Sequence, residues 1–336
     1  TTQYKKKYNL CTPTKEGYTF SGWYLNGTKV TNNDINENYN DIVLEARWGG
    51  QKYIVKYYIG NAKSTSGYTQ IGSTECEYNQ ECTLATFASL NKIFPYSSQD
   101  EVTNGKQNYG WSFAGWTNFA DSTEIKYTNG KKFVYNKNYN LDLYAIGKRN
   151  LHINGGIAPT SSKAEVEQYW NPNSTNEKYL TNVTLPSGVG IEGWEFIGYR
   201  AGSNTANSSV TFNALQTGNT LKAPYNTWPY IRSVYKRTLT LEYDGNEATS
   251  GNVAKQTQTQ YYNSGYGTSG TNKGANVSKT TFTLANNGYS KTGYDFTTWS
   301  IGSKSGTKKQ PGENYEFTPN VTSSPTQKIY AVWGTV

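Results

Sequence analysis

The chain has 336 residues and a formal net charge of +8, and it contains 30 Tyr while charged residues make up only 17%. Its apolar residues are mostly aromatic and β-branched, and such residues favour strands over helices. The lysines are scattered, which argues against nucleic acid as a partner, and no run approaches the roughly 20 apolar residues of a membrane-spanning helix. We therefore expect neither nucleic-acid binding nor membrane insertion. The absence of Met, even at position 1, indicates an excised part of a longer polypeptide.

A short aromatic motif recurs four times along the chain, which is the signature of a repeat protein. Each copy consists of Gly, an aromatic residue, any residue, Phe, two further residues and a second aromatic. The first aromatic and the Phe are two positions apart, so both lie on one face of a strand, which we expect to face the core. The predicted core residues are Tyr18, Phe20, Trp23, Trp111, Phe113, Trp116, Trp194, Phe196, Tyr199, Tyr294, Phe296 and Trp299.

The position before the last aromatic of the motif predicts a β-bulge. It is occupied by Gly22, Gly115 and Gly198 in the first three copies. Glycine permits the positive φ of a bulge, which would turn the last aromatic inward. Thr298 breaks this rule, so in the fourth copy either the bulge tolerates a β-branched residue or Trp299 packs on the other face of the sheet.

Two further strands surround the motif in each complete repeat. An alternating apolar strand closes every repeat, and the closing strands are residues 42–48, 141–147, 230–235 and 328–333. An opening strand that runs into turn residues starts the later repeats, at residues 53–60, 151–155 and 239–245. Only residues 163–168 have a helix-like composition. We predict four small domains, which are residues 1–49, 50–148, 149–236 and 237–336.

The first repeat lacks an opening strand, because only 16 residues precede Gly17. In so small a sheet, this absence would expose apolar side chains and an unpaired strand edge. The edge is either a result of where the sequence was cut or an acceptor for a strand of another molecule. In the second case, copies of the chain could join head to tail into a filament.

The segment P-T-K-E-G-Y-T-F-S-G-W-Y, from Pro13 to Tyr24, followed by a closing strand that ends in Ala-x-Trp, resembles the Listeria–Bacteroides repeat, also called the internalin B-type repeat. The match is specific in the first repeat, moderate in the fourth and degenerate in the second and third. The resemblance implies a mainly β fold: a tandem array of four small β-grasp-like repeat domains, the first without its opening strand. It also implies a structural or adhesive role on an extracellular bacterial cell surface, without catalytic residues or cofactor. The partners would be other copies of the chain or adjoining domains.

A binding module is the alternative interpretation. Insertions precede the aromatic strand in the second and fourth repeats, at residues 87–107 and 256–279, and exposed tyrosines can stack on sugars. The candidate tyrosines are Tyr57, Tyr58, Tyr261 and Tyr262. Under this interpretation, the chain would recognise a glycan or a host surface protein.

The residues that enzymes and metal sites need are scarce. His152 is the single histidine and lies in an opening strand, where a structural role is expected. Cys76 and Cys82 could form a disulfide that closes a small loop, but no Cys-x-x-Cys pair indicates zinc. Part of the spacing of a calcium-binding loop is present, with possible ligands at Asp34, Asn36, Asn38 and Glu45. Tyr39, however, stands where the sharp turn of such a loop needs Gly. We expect no enzyme activity, no metal and no cofactor.

Overall fold

The computed structural model describes residues 2–61, 67–155, 162–173, 179–185, 190–202, 217, 220–264 and 276–336. The chain is mainly β, as its composition predicts. It divides into two compact units. Unit 1 is Thr1–Lys148 with Tyr169–Thr181, and unit 2 is Arg149–Gln168 with Asn182–Val336. One division therefore falls between Lys148 and Arg149, and the four domains stay a prediction.

The first repeat of unit 1 is a three-stranded antiparallel sheet. Its strands are β1 (Tyr18–Leu25), β2 (Thr28–Val30) and β3 (Glu45–Gly50). The strand order is β2-β1-β3, which places β3 at one edge. An isolated bridge also joins Lys7 to Ile35.

The second repeat of unit 1 contains more strands and the described α-helix. Its elements are β4 (Lys52–Gly60), β5 (Tyr68–Glu77), β6 (Glu81–Thr83), a 3-10 helix (Ala88–Leu90), α1 (Ser98–Asn104), β7 (Ser112–Thr117), β8 (Lys132–Val134) and β9 (Leu141–Gly155). The order is β5-β4-β9-β7, with β6 paired to β8 in a small separate sheet. The opening strand β4 is parallel to the closing strand β9, and the other pairs of this sheet are antiparallel.

Unit 2 holds the fourth repeat and the third repeat apart from Tyr169–Thr181. The elements of the third are the end of β9, β10 (Ser162–Trp170), β11 (Val183–Thr184), β12 (Glu195–Gly202), β13 (Thr220–Leu221) and the start of β14 (Tyr230–Asp244). Those of the fourth are the end of β14, β15 (Ser250–Gly251), β16 (Gln256–Asn263), β17 (Asn276–Val277), β18 (Thr281–Thr283), β19 (Tyr289–Ser290), β20 (Tyr294–Ile301), β21 (Thr307–Lys309), β22 (Asn314–Glu316) and β23 (Thr326–Thr335). β14 runs parallel to β9 and to β23, and β12 and β20 are the aromatic strands.

The second, third and fourth repeats share one plan. The second strand, the opening strand, the closing strand and the aromatic strand follow one another across the sheet, and opening and closing strands are parallel. A small antiparallel pair covers each sheet, formed by β6 and β8, β11 and β13, and β18 and β22. In the first repeat the bridge between Lys7 and Ile35 takes the place of this pair. Within residues 2–50, the structure describes the aromatic and closing strands of the plan and no opening or second strand.

The long strands arise because closing and opening strands are continuous. β9 and β14 each contain 15 residues, of which the first part closes one repeat and the second part opens the next. In the fourth repeat, Leu239 and Leu241 of the opening part and Ile329 of β23 are fully buried around Trp299. Each such side chain stabilises the fold by about 1.5–3 kcal/mol relative to an exposed one.

The prediction of a helix at residues 163–168 is wrong. These residues lie in β10, where Glu165 and Glu167 are exposed, Val166 is half-buried and Gln168 is buried. This period of two fits a strand, and pairing with β9 overrides the helix propensity of the Glu, Ala and Gln residues. The α-helix is α1 in the insertion at 87–107, where the Ser97 hydroxyl accepts a hydrogen bond from the Asp100 amide as an N-cap.

Candidate functional site

A β-bulge interrupts the aromatic strand of all four repeats at the same point. The register shifts between Phe20 and Gly22, and equivalent shifts follow the other motif phenylalanines. Gly22 has a φ of +137°, which a larger residue rarely adopts. Thr298 shows that the bulge also accepts a β-branched residue, whose hydroxyl donates to the Lys309 carbonyl at 2.8 Å. The bulge is therefore kept in the fourth repeat, and Trp299 faces the core.

The structure places the motif residues at different depths. Trp111, Trp116, Trp194, Tyr199 and Trp299 are buried. The half-buried members are Tyr18, Phe20, Trp23, Phe113, Phe196 and Phe296. Tyr294 differs from its expected core position, since it is 42% exposed.

The first aromatic of the motif packs against the following repeat. In unit 1, the Tyr18 ring lies 5.2 Å from the Tyr78 ring, and the Trp111 ring lies 5.1 Å from the Trp170 ring. In unit 2, the Trp194 ring lies 5.7 Å from the Tyr262 ring. In each pair, the second residue lies within one residue of the end of the second strand of the next repeat. We call these three contacts the aromatic joints.

Tyr294 forms no aromatic joint among the described residues. It occupies the same motif position as Trp194 and Trp111, but it is 42% exposed. The Lys291 ammonium, and not an aromatic ring, lies over the Tyr294 ring, 4.9 Å from its centroid. The first aromatic is thus a contact residue between repeats as much as a core residue.

Arg237 completes the joint between the third and fourth repeats. Its guanidinium donates to Gln260 Oε1 at 2.8 Å and lies over the Trp194 ring at 4.2 Å. It also donates to backbone carbonyl oxygens of the loop before β23, at Pro319, Asn320, Val321 and Ser323. Burial lowers the pKa of Arg237 because the charged form loses water. The indole N–H of Trp194 donates to the Val321 carbonyl at 2.9 Å, so one loop binds both side chains.

Arg149 has the same arrangement at the start of the third repeat. It donates to Gln168 Oε1 at 3.0 Å, to the Thr227 carbonyl at 2.8 Å and to the Pro224 carbonyl at 2.8 Å. Gln168 in turn donates to the Ala223 carbonyl. Arg149 is 2% exposed, and this burial lowers its pKa to about 9. We call the two arrangements the arginine latches, because each fixes the loop before a closing strand to the opening strand.

The arginine latches were missed at the level of sequence, although a signal exists. Arg149 and Arg237 both follow Lys directly, at the point where closing and opening strands meet. Gln168 and Gln260 are likewise each followed by two aromatic residues. Arginine and glutamine are 19 residues apart in the third repeat and 23 in the fourth, so the recurring residue types, and not an equal spacing, relate the two repeats.

The joint between the first and second repeats uses other groups. Tyr78 lies in the turn between β5 and β6, and the Cys76–Cys82 disulfide closes this turn with a Cα–Cα distance of 5.5 Å. Asn79 Nδ2 donates to the Tyr18 hydroxyl at 3.1 Å. The disulfide therefore holds the segment that contacts Tyr18. Cys11 is a free, exposed cysteine.

The tyrosines considered as sugar platforms are placed mainly inside the protein. Tyr57 and Tyr262 are fully buried, and Tyr58 and Tyr261 are half-buried. Burial against water raises the pKa of Tyr57. Of the second insertion, residues 265–275 lie outside the described part of the chain.

A polar hollow in the first repeat is a more accessible candidate ligand site than these mostly buried tyrosines. Its lining includes Tyr4, Asn38, Tyr39, Asn40 and Asp41, around a cavity of about 350 Å³. Tyr39 is 86% exposed and Tyr4 is 46% exposed, and their rings meet edge to face at 5.5 Å. Aromatic faces beside amide and carboxylate groups are chemically suited to a sugar.

The remaining candidate residues have local structural roles. His152 Nδ1 lies 2.9 Å from the Glu165 carboxylate across β9 and β10. Asp34 Oδ2 accepts hydrogen bonds from the Thr31 amide and hydroxyl, at 2.6 Å and 3.0 Å, which closes a turn. Asn36 Oδ1 accepts from the Asn38 amide in the same way. No cluster of three potential metal-ligating His, Cys, Asp or Glu side chains occurs among the residues that the structure describes.

Comparison with curated proteins gives a match over nearly the whole chain. The chain is 24% identical over 328 residues to a protein of Evansella cellulosilytica that is named as a candidate membrane protein, covering 96% of this chain. It spans 39% of the length of that relative. No solved structure gives a significant match. Within the described ranges, no helix has the length and apolar character needed to cross a membrane.

The family match concerns the first repeat. Residues 1–47 match the family model of the Listeria–Bacteroides repeat domain, a repeat typical of bacterial surface proteins. The match covers the motif Gly17 to Trp23 and the start of β3. The resemblance inferred from the motif is confirmed for residues 1–47, which are similar to this repeat domain.

Proposed function

We propose that the chain is a structural segment of a bacterial surface protein, a stalk or fibre element in which neighbouring β-grasp-like repeats support each other. The central parallel pair of opening and closing strands supports the β-grasp-like description. The segment works without turnover or cofactor, on the outer side of the cell. Its partners are adjoining domains and other copies of the chain.

The recurrence of the aromatic joint is the observation that carries this proposal. Three joints place the same motif position against the same region of the next repeat. An aromatic pair contributes about 0.5–1.5 kcal/mol beyond its burial, and each arginine latch adds buried hydrogen bonds. Contacts of this kind couple the stability of one repeat to that of its neighbour, as a segment that transmits force requires.

Pulling on the chain between its two termini tests the proposal. In a single-molecule force experiment, the third and fourth repeats should unfold together in one step, because Trp194 and Arg237 connect them. Trp194→Ala should divide that step into two smaller ones at lower force. Tyr294→Ala is the matched control, since it removes the same motif position where no joint exists, and it should leave the trace unchanged. Independent unfolding of the two repeats in the unmodified chain would contradict the proposal.

Glycan binding is a second candidate function, and the polar hollow beside Tyr39 is the observation that favours it. The adhesive role would then belong to the first repeat and not to the insertions. Binding on a glycan array that is lost in Tyr39→Ala and kept in Tyr68→Ala, a change at a tyrosine of β5 outside the hollow, would support it. An array without any positive glycan would exclude this function.

A further inference from the structure

The second strand of the second, third and fourth repeats lies at an edge of its sheet. β5, β10 and β16 each pair with the long strand beside them, which is β4, β9 or β14. β5 is such an edge although repeats lie on both sides of it along the chain. An edge strand offers unpaired backbone N–H and C=O groups to any other strand that approaches it.

Two of these edges carry features that hinder pairing with another chain. β5 contains a β-bulge at Ile71, and its Glu75 and Glu77 are exposed. On β10, Glu165 and Glu167 are exposed. Bulges and charged side chains are the usual protection of an edge strand, because they bend the edge or repel a second copy of it.

β16 has neither of these features. Its register with β14 is regular along all eight residues, and the strand contains no charged residue and no proline. Thr257, Gln258 and Thr259 are exposed. Residues 256–260 read Q-T-Q-T-Q, which is the same in both directions. Two copies of this segment can therefore lie antiparallel with Gln opposite Gln and Thr opposite Thr, and no like charges meet.

The backbone groups of Thr257 and Thr259 point away from β14. On that outer side, the Tyr261 amide donates to Ser278 Oγ at 2.8 Å, and the Tyr261 carbonyl accepts from the Ser278 amide at 2.9 Å. Because the backbone groups of a strand alternate between its two sides, Thr257 and Thr259 face the same side as Tyr261. No acceptor or donor meets their outer groups among the described residues.

The glutamines of β16 fix this edge in place. Gln256 Nε2 donates to the Thr283 carbonyl at 2.8 Å, and Gln258 Nε2 donates to the Thr281 carbonyl at 2.6 Å. Both acceptors belong to β18, so these side chains join the edge to the small strand pair that covers the sheet. An edge that is already held in an extended conformation loses less conformational entropy when it pairs.

We propose that residues 256–260 form a contact between two copies of the chain, which pair antiparallel around a two-fold axis at Gln258. In this register, Thr257 faces Thr259 of the second copy, and each of the two such pairs exchanges two backbone hydrogen bonds. These bonds use all the outward groups of both threonines, and Ser278 blocks any register that includes Tyr261. Because the contact is small, the copies associate reversibly.

This contact gives the proposed fibre element a surface on which copies of the chain meet, and its biological role rests on that proposed function. The two proposals can nevertheless fail separately. The force experiment pulls on a single chain and depends on the aromatic joint and the arginine latch. The experiments below measure association between chains and depend on neither.

A cysteine on the two-fold axis tests the register in the full chain. A Cys11→Ser background removes the exposed free thiol. Gln258→Cys then opposes two thiols whose Cα atoms lie about 4.5 Å apart, which a disulfide can span. Thr257→Cys is the matched control at an adjacent exposed position, because its two copies lie on a diagonal about 7–8 Å apart. Under mild oxidation, Gln258→Cys should give about tenfold more linked dimer than the control, and equal amounts would overturn the proposal.

Charge substitutions test the association without a cross-link. Sedimentation velocity of the unmodified chain should show a dimer whose share rises with concentration. A variant with Thr257→Lys and Thr259→Lys should stay monomeric, as should one with Thr257→Glu and Thr259→Glu, because like charges then face each other. An equimolar mixture of the two variants should dimerise, since each Lys faces a Glu. A monomeric unmodified chain, a dimer of the Lys variant alone or a mixture without dimer would each overturn the proposal.

Discussion

Replacing Arg237 by alanine is expected to lower the free energy of unfolding of the fourth repeat by about 3 kcal/mol. Three hydrogen bonds of the guanidinium are 3.0 Å or shorter, to Gln260, Asn320 and Ser323, and each contributes about 1 kcal/mol net. The contact with the Trp194 ring adds about 1 kcal/mol. Burial lowers the pKa of Arg237, so the charged form also carries a desolvation cost that its removal recovers, and the expected loss is smaller than the sum of these contacts.

Arg237→Lys should recover only part of this loss. A lysine keeps the charge and its desolvation cost but lacks the planar fork that reaches several carbonyl groups at once. We expect a cost of about 2 kcal/mol. The matched control is Lys236→Ala, since this neighbouring side chain is 42% exposed and makes a long ion pair with Glu195 at 3.7 Å. Its effect should stay within about 0.5 kcal/mol.

Native-state hydrogen exchange is the suitable assay, because a chain of several repeats need not unfold in one step. The exchange rates of the amides of residues 319–323 report the opening of the loop that Arg237 binds. Urea unfolding gives the total loss of free energy of unfolding. A cost below about 1 kcal/mol for Arg237→Ala would refute the latch as a stabilising contact. Full stability in Arg237→Lys would show that charge, and not the geometry of the hydrogen bonds, matters.

Three further predictions follow from individual residues. Gly115→Ala should cost about 2 kcal/mol, because a Cβ would lie 2.9 Å from the Tyr127 carbonyl oxygen; unchanged urea unfolding would show that the bulge adapts. Replacing Cys76 and Cys82 by serine should cost about 2 kcal/mol through the loss of a short closed loop, and calorimetry with and without reductant checks this. Burial raises the pKa of Tyr135 to about 12, so the folded state keeps a proton that the unfolded state loses, and stability should fall as pH rises from 10 towards 12. A constant urea midpoint across that range would contradict the assignment.

The repeats themselves could be predicted from sequence because their signal is periodic. The motif around Phe20 recurs with the same spacing, and the period of two fixes which residues share a face. What the motif cannot show is the partner of its first aromatic, since Tyr78 and Tyr262 lie in another repeat and share no local pattern with Tyr18 and Trp194.

The arginine latches could not be predicted for a different reason. Arg237 binds mainly backbone carbonyl groups, and carbonyl groups are present at every position, so the residue types of the loop give no sign of the contact. The wrong helix at residues 163–168 has a related cause, since alternation over so few residues is compatible with either element. Pairing with β9 decides between them, and pairing depends on residues distant in sequence.

The continuous strands have a consequence for how the number of repeats can change in evolution. Lys148 and Arg149 stand at one junction and Lys236 and Arg237 at the next, each pair in the middle of a 15-residue strand. Loss of residues 149–236 would join Lys148 to Arg237 and restore the same dipeptide. The buried and more exposed positions of the strand would still alternate across the new bond. Recombination between such junctions can therefore shorten or lengthen the protein by a whole repeat without creating a new boundary inside the sheet.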